Sequence, residues 1–469
     1  MRELPDWLSA RAASVPDRTA LVADNRAWTF AELHTEVDRT ARRLAALGVK
    51  EGDRVATILR AGFLSSILPH ATLRLGATLV PLNTRLTLSE IDWQIDDIGP
   101  RLLIRDESML DGADERDVPL RRAHNTDSVM AVIYTSGTTG RPKGAMLTVG
   151  NFWWSAVGSA LNLGVNPRDR WLACLPLFHV GGLSILIRSA IYGTTAVVQD
   201  GFDADDVNQA IDHDEISVVS VVAVMLERML DARGDKPYPP TLRCVLLGGG
   251  PASRPLLDRC ARIGVPVVQT YGLTETCSQI ATIAPEDAVR KIGSAGKALY
   301  PNDLRISDSG EILVRGPVVM AGYAGRPDET NAAIVDGWLH TGDAGRFDDD
   351  GYLYVLDRRD DLIVTGGENV YPAEVEAALA LHPAVAEAAV IGISDPTWGH
   401  RVVAIVRLHE SQPPLESASL AAYCSDRLAR FKTPREFRFT EDPLPRTAAG
   451  KIRRSALREM LAGPSGKSA

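Results

Sequence analysis

Between Trp28 and Gly250, short runs rich in Val, Ile and Leu alternate with stretches of helical period, and this alternation leaves the chain few folds to choose from. "DRVATILR", "TLVPLN", "GTTAVVQD", "ISVVSVV" and "LRCVLLGGG" read as strands, and "FLSSILPHATLRLGA", "DADDVNQAIDHD" and "MLERMLDA" as helices. A largely parallel sheet with helices on both faces satisfies such a succession. The clearest helix follows Trp28, where Phe30, Leu33, Val37, Ala41 and Leu44 fall on one face. Thr29 and Glu32 have the spacing of a capping box, and Gly48 supplies a stop. After about Gly310 the pattern changes to short alternating runs with turn residues between them, which read as the hairpins of a β-barrel-like region. A last stretch interleaves the helices "AEVEAALALHP" and "LAAYCSDRLARF" with the strands "VAEAAVIGI" and "RVVAIVRLH". That is a compact α+β unit of roughly a hundred residues, a normal domain size. The expected fold class is α/β: a large N-terminal domain of α/β sheets with the β-barrel-like region, then a small α+β C-terminal domain.

A chain of 469 residues with formal charge -9 lacks the basic field that nucleic acid or an anionic membrane requires. Any anionic ligand must be met by local donors. The five cysteines contain no CxxC pair and leave one over, which is neither a disulfide framework nor a zinc site. The first residues lack the apolar run of a signal peptide, and no ~18 uncharged apolar residues follow one another. The expectation is a cytoplasmic protein without a membrane span.

"YTSGTTGRPKGAML", Tyr134 to Leu147, departs from the G-x-x-x-x-G-K-[ST] phosphate loop because Pro142 stands where the second glycine belongs. Its glycines, the hydroxyls of Thr135, Ser136, Thr138 and Thr139, and the charge of Lys143 still suit a polyphosphate, or else a polar surface linker. "LLGGGPAS" puts glycines after a strand, where a flat ligand can lie on backbone or a tight turn can form. "YGLTET" offers Tyr271 to stack on a base, Thr274 to donate to a phosphate and Glu275 to ligate magnesium; a strand end with a solvated glutamate fits equally. His179 in "LPLFHVGGLS" alone reads as a core histidine. "DDDG", Asp348 to Gly351, reads as a hairpin turn, and "RRDD" as a solvated charge run.

In order and spacing, "YTSGTTGRPKG", "LLGGGP", "YGLTET", "GWLHTGD", "LDRRDDLIVTGGENVYPAEVE" and "PRTAAGKIRR" resemble the adenylate-forming acyl-CoA synthetases, across nearly the whole chain. The resemblance implies that a carboxylate attacks the α-phosphate of ATP, with Mg2+, to give an acyl-adenylate, and that the thiol of coenzyme A then displaces AMP. It implies that Thr135, Ser136, Gly137, Thr138, Thr139 and Lys143 embrace the β,γ-phosphates, and that Gly249, Gly250, Pro251, Tyr271 and Gly272 frame the adenine. Thr274 contacts the α-phosphate, Glu275 holds magnesium, and Asp343 and Arg358 bind the ribose. By the same resemblance Lys451 is the catalytic lysine bridging carboxylate and α-phosphate. The resemblance further implies a boundary between 1–357 and a mobile 358–469, a hinge at Asp360, and a thiol tunnel at Gly366, Gly367, Glu368 and Asn369. His179 lines the acyl pocket.

Within the family, "SAVGSALNLG", "DRWLACLPLFHVGGLS" and "YGLTETCSQIAT" resemble the o-succinylbenzoate:CoA ligases of menaquinone biosynthesis. The second carboxylate of such a substrate needs donors, for which Ser184, Arg188, Ser278 and Gln279 are candidates; Arg188 is equally a helix-surface charge. A fatty or aryl acid ligase and a non-catalytic nucleotide-binding protein are the alternatives. "VVAVML", Val221 to Leu226, departs from the family's proline-containing stretch beside the acyl pocket. Free coenzyme A is favoured over a carrier protein as acceptor, and a homo-oligomer is left open.

Overall fold

The helix marked by Thr29 and Glu32 is present in the computed structural model, which describes residues 2–135, 142–250, 252, 254–357, 362–409, 415–445, 452 and 454–462. It runs Phe30–Ala46 and buries Phe30, Leu33, Val37, Ala41 and Leu44. Thr29 Oγ1 accepts the Glu32 N–H at 3.2 Å, and Glu32 Oε2 accepts the Thr29 N–H at 2.8 Å, so two otherwise orphaned donors are satisfied reciprocally. Gly48, at φ +91°, lies just past its end.

By contact the chain divides into two units. One comprises Met1–Thr84, Ile95–Tyr134 and Gly144–Leu356; the other comprises Arg85–Gln94, Thr135–Lys143 and Asp357–Ala469. The first holds the expected parallel sheet. Its parallel strands lie in the spatial order Val267–Leu273, Cys244–Leu247, Val218–Val221, Arg170–Ala173, Thr195–Val198 and Thr19–Ala23. Every residue of Cys244–Leu247 and Val218–Val221 is buried, as in strands covered on both faces. At its edges this nine-stranded sheet turns antiparallel: Ser278–Thr282 and Lys297–Ala298 on one side, Arg26–Thr29 on the other. A six-stranded sheet runs in the order Gly322–Tyr323, Lys143–Thr148, Val129–Thr135, Thr78–Pro81, Arg54–Thr57 and Leu102–Ile104. The segment after Gly310 forms the expected hairpins, with Glu311–Arg315, Trp338–Phe347 and Leu353–Asp357 in a small antiparallel sheet. "DDDG" is the turn of one of them, and Lys291 Nζ meets Asp348 at 2.8 Å and Asp350 at 2.5 Å there.

In the second unit the antiparallel strands Val385–Asp395 and Gly399–Leu408 carry the hairpin Ile363–Thr365/Glu368–Val370 and the parallel strand Glu436–Phe439. The helix Pro372–Ala380 packs on Val385–Asp395 and on the helix Ser417–Ser425. All five cysteines are buried free thiols. Among the described residues no helix is long and apolar enough to cross a membrane.

A buried ionic cluster ties the start of the chain to the first unit. Arg74 is inaccessible to solvent; its guanidinium bonds Asp6 Oδ1 at 2.8 Å and Asp38 Oδ1 at 2.6 Å, and His124 Nε2 lies 3.1 Å from Asp6 Oδ2. Burial alone would raise the Asp6 carboxyl, but His124 and Arg74 hold it well below the usual carboxylate range. Asp6 also caps the helix Trp7–Ser14, accepting the Ser9 N–H at 2.8 Å. His70 sits beside the cluster, wholly buried, and burial pushes it down to about 4; Asp6 opposes this shift, and Arg74 and His124 add to it. A histidine held neutral by the fold favours the native state fully above its unfolded value. That advantage is lost as the pH falls from ~6.5 towards the folded value. Chemical denaturation between pH 7 and pH 4 is therefore expected to show a loss in the parent, relative to His70→Leu, of about 3 kcal/mol.

Candidate active site

The strand Val267–Leu273 carries Tyr271 and Gly272 to the edge of the parallel sheet, the 3-10 turn Thr274–Thr276 follows, and Ser278–Thr282 returns antiparallel. The two arms touch at Gly272, where an added Cβ would stand 1.6 Å from the Ser278 carbonyl oxygen. No side chain fits there. Thr276 Oγ1 closes the turn by accepting the Leu273 N–H at 2.9 Å, and Cys277 and Ser278 turn through φ +49° and +86°. Thr274 and Glu275 stand in this turn. The Glu275 carboxylate is more than a solvated strand end, because its Oε1 accepts the Tyr323 hydroxyl at 2.9 Å.

Tyr271 and Asp343, far apart in sequence, come together: the Tyr271 hydroxyl donates to Asp343 Oδ2 at 2.7 Å, and both residues are buried. The turn that carries Asp343 is held by Glu311, whose two oxygens meet the Gly342 N–H at 2.7 Å and His340 Nδ1 at 3.0 Å. Gly249 and Gly250 follow the buried strand Cys244–Leu247, with Gly249 at φ +73°. Thr135 ends the strand Val129–Thr135 and Lys143 begins Lys143–Thr148. Ser136, Gly137, Thr138, Thr139, Pro251, Arg358, Asp360 and Lys451 lie outside the described residues. Tyr134, just before Thr135, donates to Asp97 Oδ2 at 2.8 Å; burial and this carboxylate push its phenol well above the usual range.

Among the residues expected on the acyl side, His179 occupies the N-cap position of the helix Val180–Tyr192 without a side-chain capping bond and is only partly buried, its ring edge-on to Phe178 at 4.8 Å. Arg188 is no surface charge: it is 2% exposed, and burial pulls its pKa down. Its Nη2 donates to Ser155 Oγ at 2.9 Å, and Ser155 in turn donates to the Cys277 carbonyl at 2.7 Å, so the arginine reaches the outgoing arm of the Gly272 hairpin. Among the described residues Arg188 Nε has no hydrogen-bond partner, nor do the buried atoms Ser184 Oγ, Gln279 Oε1 and Gln279 Nε2. Among the described residues no carboxylate pairs with Arg188. Ser184 and Arg188, four apart on one helix, share a face.

In the second unit Gly366 and Gly367, at φ +58° and +84°, form the two-residue turn between Ile363–Thr365 and Glu368–Val370, a turn that needs left-handed backbone at both positions. Gly366 N–H donates to the Trp398 carbonyl at 2.8 Å. Glu368 is buried, with Arg85 Nη1 at 2.7 Å from its Oε1. Nearby in sequence, Glu374 shares the buried Lys432 ammonium with Glu90, at 2.8 and 2.6 Å.

A family model described as AMP-binding enzyme matches residues 8–324, and one described as AMP-binding enzyme C-terminal domain matches residues 374–451. The chain belongs to the AMP-binding enzyme family. This AMP-binding enzyme is 49% identical to a 2-succinylbenzoate–CoA ligase of Geobacillus kaustophilus (strain HTA426), over 98% of this chain and 99% of the relative. It is similar to a double mutant of the o-succinylbenzoate CoA synthetase of Bacillus subtilis bound with a product analogue, OSB-NCoA. The TM-score is 0.93 and the identity 43%, over 97% of this chain and 98% of the other. The same synthetase in complex with ATP and magnesium ion gives a TM-score of 0.74 at 42% identity, over 97% and 100%.

Sequence patterns missed four side chains that brace the site of this AMP-binding enzyme: Asp97, Glu311, Tyr323 and Arg326. None stands in a quoted motif, and each acts across a long stretch of chain, so no local spacing announces it. Among the described residues no group of three His, Cys, Asp or Glu gathers as a metal site. Magnesium held by one carboxylate, with substrate phosphates and water completing its shell, needs none, and Glu275 fits that role. Gly272→Ala must displace the Ser278 carbonyl, an overpacking that costs about 1–3 kcal/mol. Thermal melting and AMP titration of the variant are expected to show melting temperature and nucleotide affinity falling together.

Proposed function

We propose that this AMP-binding enzyme is an acid–thiol ligase that activates 2-succinylbenzoate with ATP and transfers it to coenzyme A, in the cytoplasm, as a step of menaquinone biosynthesis. A carboxylate is a poor electrophile. Attack of one carboxylate oxygen on the α-phosphate expels pyrophosphate and leaves an acyl-adenylate, whose carbonyl a thiolate then attacks, expelling AMP. Bound magnesium supplies charge neutralisation on the phosphates. Glu275 holds that ion, Thr274 donates to the α-phosphate, Thr135 to Thr139 with Lys143 receive the outer phosphates, and Gly249 to Gly250 with Tyr271 frame the base. Tyr271 also holds Asp343 in place for the ribose, with Arg358 beside it in role. His179 lines the acyl pocket. Residues 358–469 turn about Asp360, bringing Lys451 to the carboxylate for the first step and Gly366, Gly367 and Glu368 to the thiol for the second.

One observation carries the choice of acid: a wholly buried guanidinium, Arg188, whose Nε, like the polar atoms of Ser184 and Gln279, finds no partner among the described residues. Buried polar atoms are nearly always paired, and an unbalanced buried cation is costly. A ligand carboxylate answers both. A plain fatty acid brings nothing for Arg188 to bind, whereas 2-succinylbenzoate brings a second carboxylate on its ring.

Thioester formation from 2-succinylbenzoate, hexanoate, palmitate, benzoate and 4-coumarate tests the reading, with the first expected to give the highest kcat/KM; a fatty acid far above it overturns the assignment. Arg188→Met is expected to lower kcat/KM for 2-succinylbenzoate by about 100-fold, the scale of a lost charged hydrogen bond, and to leave turnover of the same keto acid without its ring carboxylate nearly unchanged. For Lys451→Ala, pyrophosphate–ATP exchange is expected to vanish while thioester formation from preformed adenylate persists. Loss of both half-reactions in a folded variant counts against the moving lysine.

A further inference from the structure

The seven-residue segment 320–326 stands outside the six motifs that carry the family resemblance, yet it bonds three separate parts of the proposed nucleotide site. Its strand Gly322–Tyr323 pairs antiparallel with Lys143–Thr148, Gly322 opposite Met146 and Tyr323 opposite Ala145. The Ala321 and Ala324 N–H groups donate to the Met146 and Gly144 carbonyls at 3.0 and 2.8 Å. It grips Glu275 twice, through the Met320 N–H to the Glu275 carbonyl at 2.8 Å and the Tyr323 hydroxyl to Glu275 Oε1 at 2.9 Å. Arg326 Nη2 meets Asp97 Oδ1 at 2.6 Å, and Asp97 Oδ2 takes the hydroxyl of Tyr134. The segment is itself anchored. Thr330 Oγ1 accepts the Tyr323 N–H at 2.9 Å and donates to the Arg326 carbonyl at 2.8 Å.

Gly144 and Tyr134 flank, in sequence, the hydroxyl- and glycine-rich stretch expected to hold the outer phosphates. One short segment thus fixes the strand that leaves this stretch, the residue that precedes it, and the carboxylate expected to share magnesium with those phosphates. A glutamate side chain free to rotate loses ~1.5–2 kcal/mol of rotamer freedom when a cation orders it. A phenol already bonded to one oxygen holds the carboxylate in one orientation and removes part of that cost.

We propose that residues 320–326 act as a brace joining the magnesium carboxylate to the strands around the phosphate-binding stretch, and that Tyr323 is the positioning residue that aims Glu275 at the metal. This inference rests on Glu275 as the magnesium carboxylate. Groups that orient a metal ligand typically matter by roughly 10–100-fold in metal affinity. The test is equilibrium binding of ATP as a function of Mg2+ concentration, with metal-free AMP binding and thermal melting alongside, for the parent, Tyr323→Phe, Glu275→Gln and the double variant. Tyr323→Phe is expected to raise the Mg2+ concentration for half-maximal ATP binding by roughly 10-fold, with AMP affinity and melting temperature unchanged. The same substitution is expected to add nothing in the Glu275→Gln background, since it acts through that carboxylate. A parallel loss of AMP and ATP affinity, an unchanged Mg2+ requirement, or a full additional loss in the double variant overturns the inference. If Glu275→Gln itself leaves the Mg2+ requirement intact, the metal assignment falls and this inference falls with it, an outcome visible in a separate variant.

Discussion

Backbone packed on backbone at Gly272 is the contact from which both halves of the proposed site are laid out. Because Gly272 lies against the Ser278 carbonyl, the strand Val267–Leu273 and its return Ser278–Thr282 are pinched together immediately beyond the parallel sheet. The incoming arm presents Tyr271, and Thr274 and Glu275 follow in the turn. The outgoing arm presents Cys277, whose carbonyl takes Ser155, and Gln279, on the side of Arg188. On the proposed function, nucleotide and acyl groups are read by opposite arms of one hairpin. A shift of either arm moves both, which suits a reaction in which the acyl oxygen must meet one particular phosphorus.

The charge pattern follows the same economy. With a formal charge of -9, the protein offers anions no general attraction, and on the proposed function single cations meet the anionic groups of the substrates. Arg74 and Arg188 show the two ways of burying a guanidinium. Arg74 is balanced by Asp6 and Asp38 and belongs to the architecture. Arg188 has a serine hydroxyl for company and no carboxylate among the described residues, so within them its charge is left without a counter-ion.

What was legible in the sequence is what is local. The capping box at Thr29, the parallel alternation, the hairpin at "DDDG" and the glycine turn at Gly366–Gly367 all depend on neighbours within a few residues, and each appears where the pattern puts it. The partners of the motifs were not legible. Asp343 finds Tyr271 across 72 residues, Tyr323 finds Glu275 across 48 and Arg326 finds Asp97 across 229. Spacing carries no trace of such pairs. Arg188 was ambiguous for a related reason: its helix Val180–Tyr192 is buried nearly all round, so an arginine at that position has no polar face to mark it as exposed.

The nine-stranded sheet also has ends, and their form matters outside the reaction. One end is the two-residue strand Lys297–Ala298, and the other is the short antiparallel strand Arg26–Thr29. Short, charged, reversed edges are poor templates for a strand from another molecule. A large open sheet that must keep its middle apolar thus terminates in borders that do not propagate. A strand from a second copy would find little backbone there to extend.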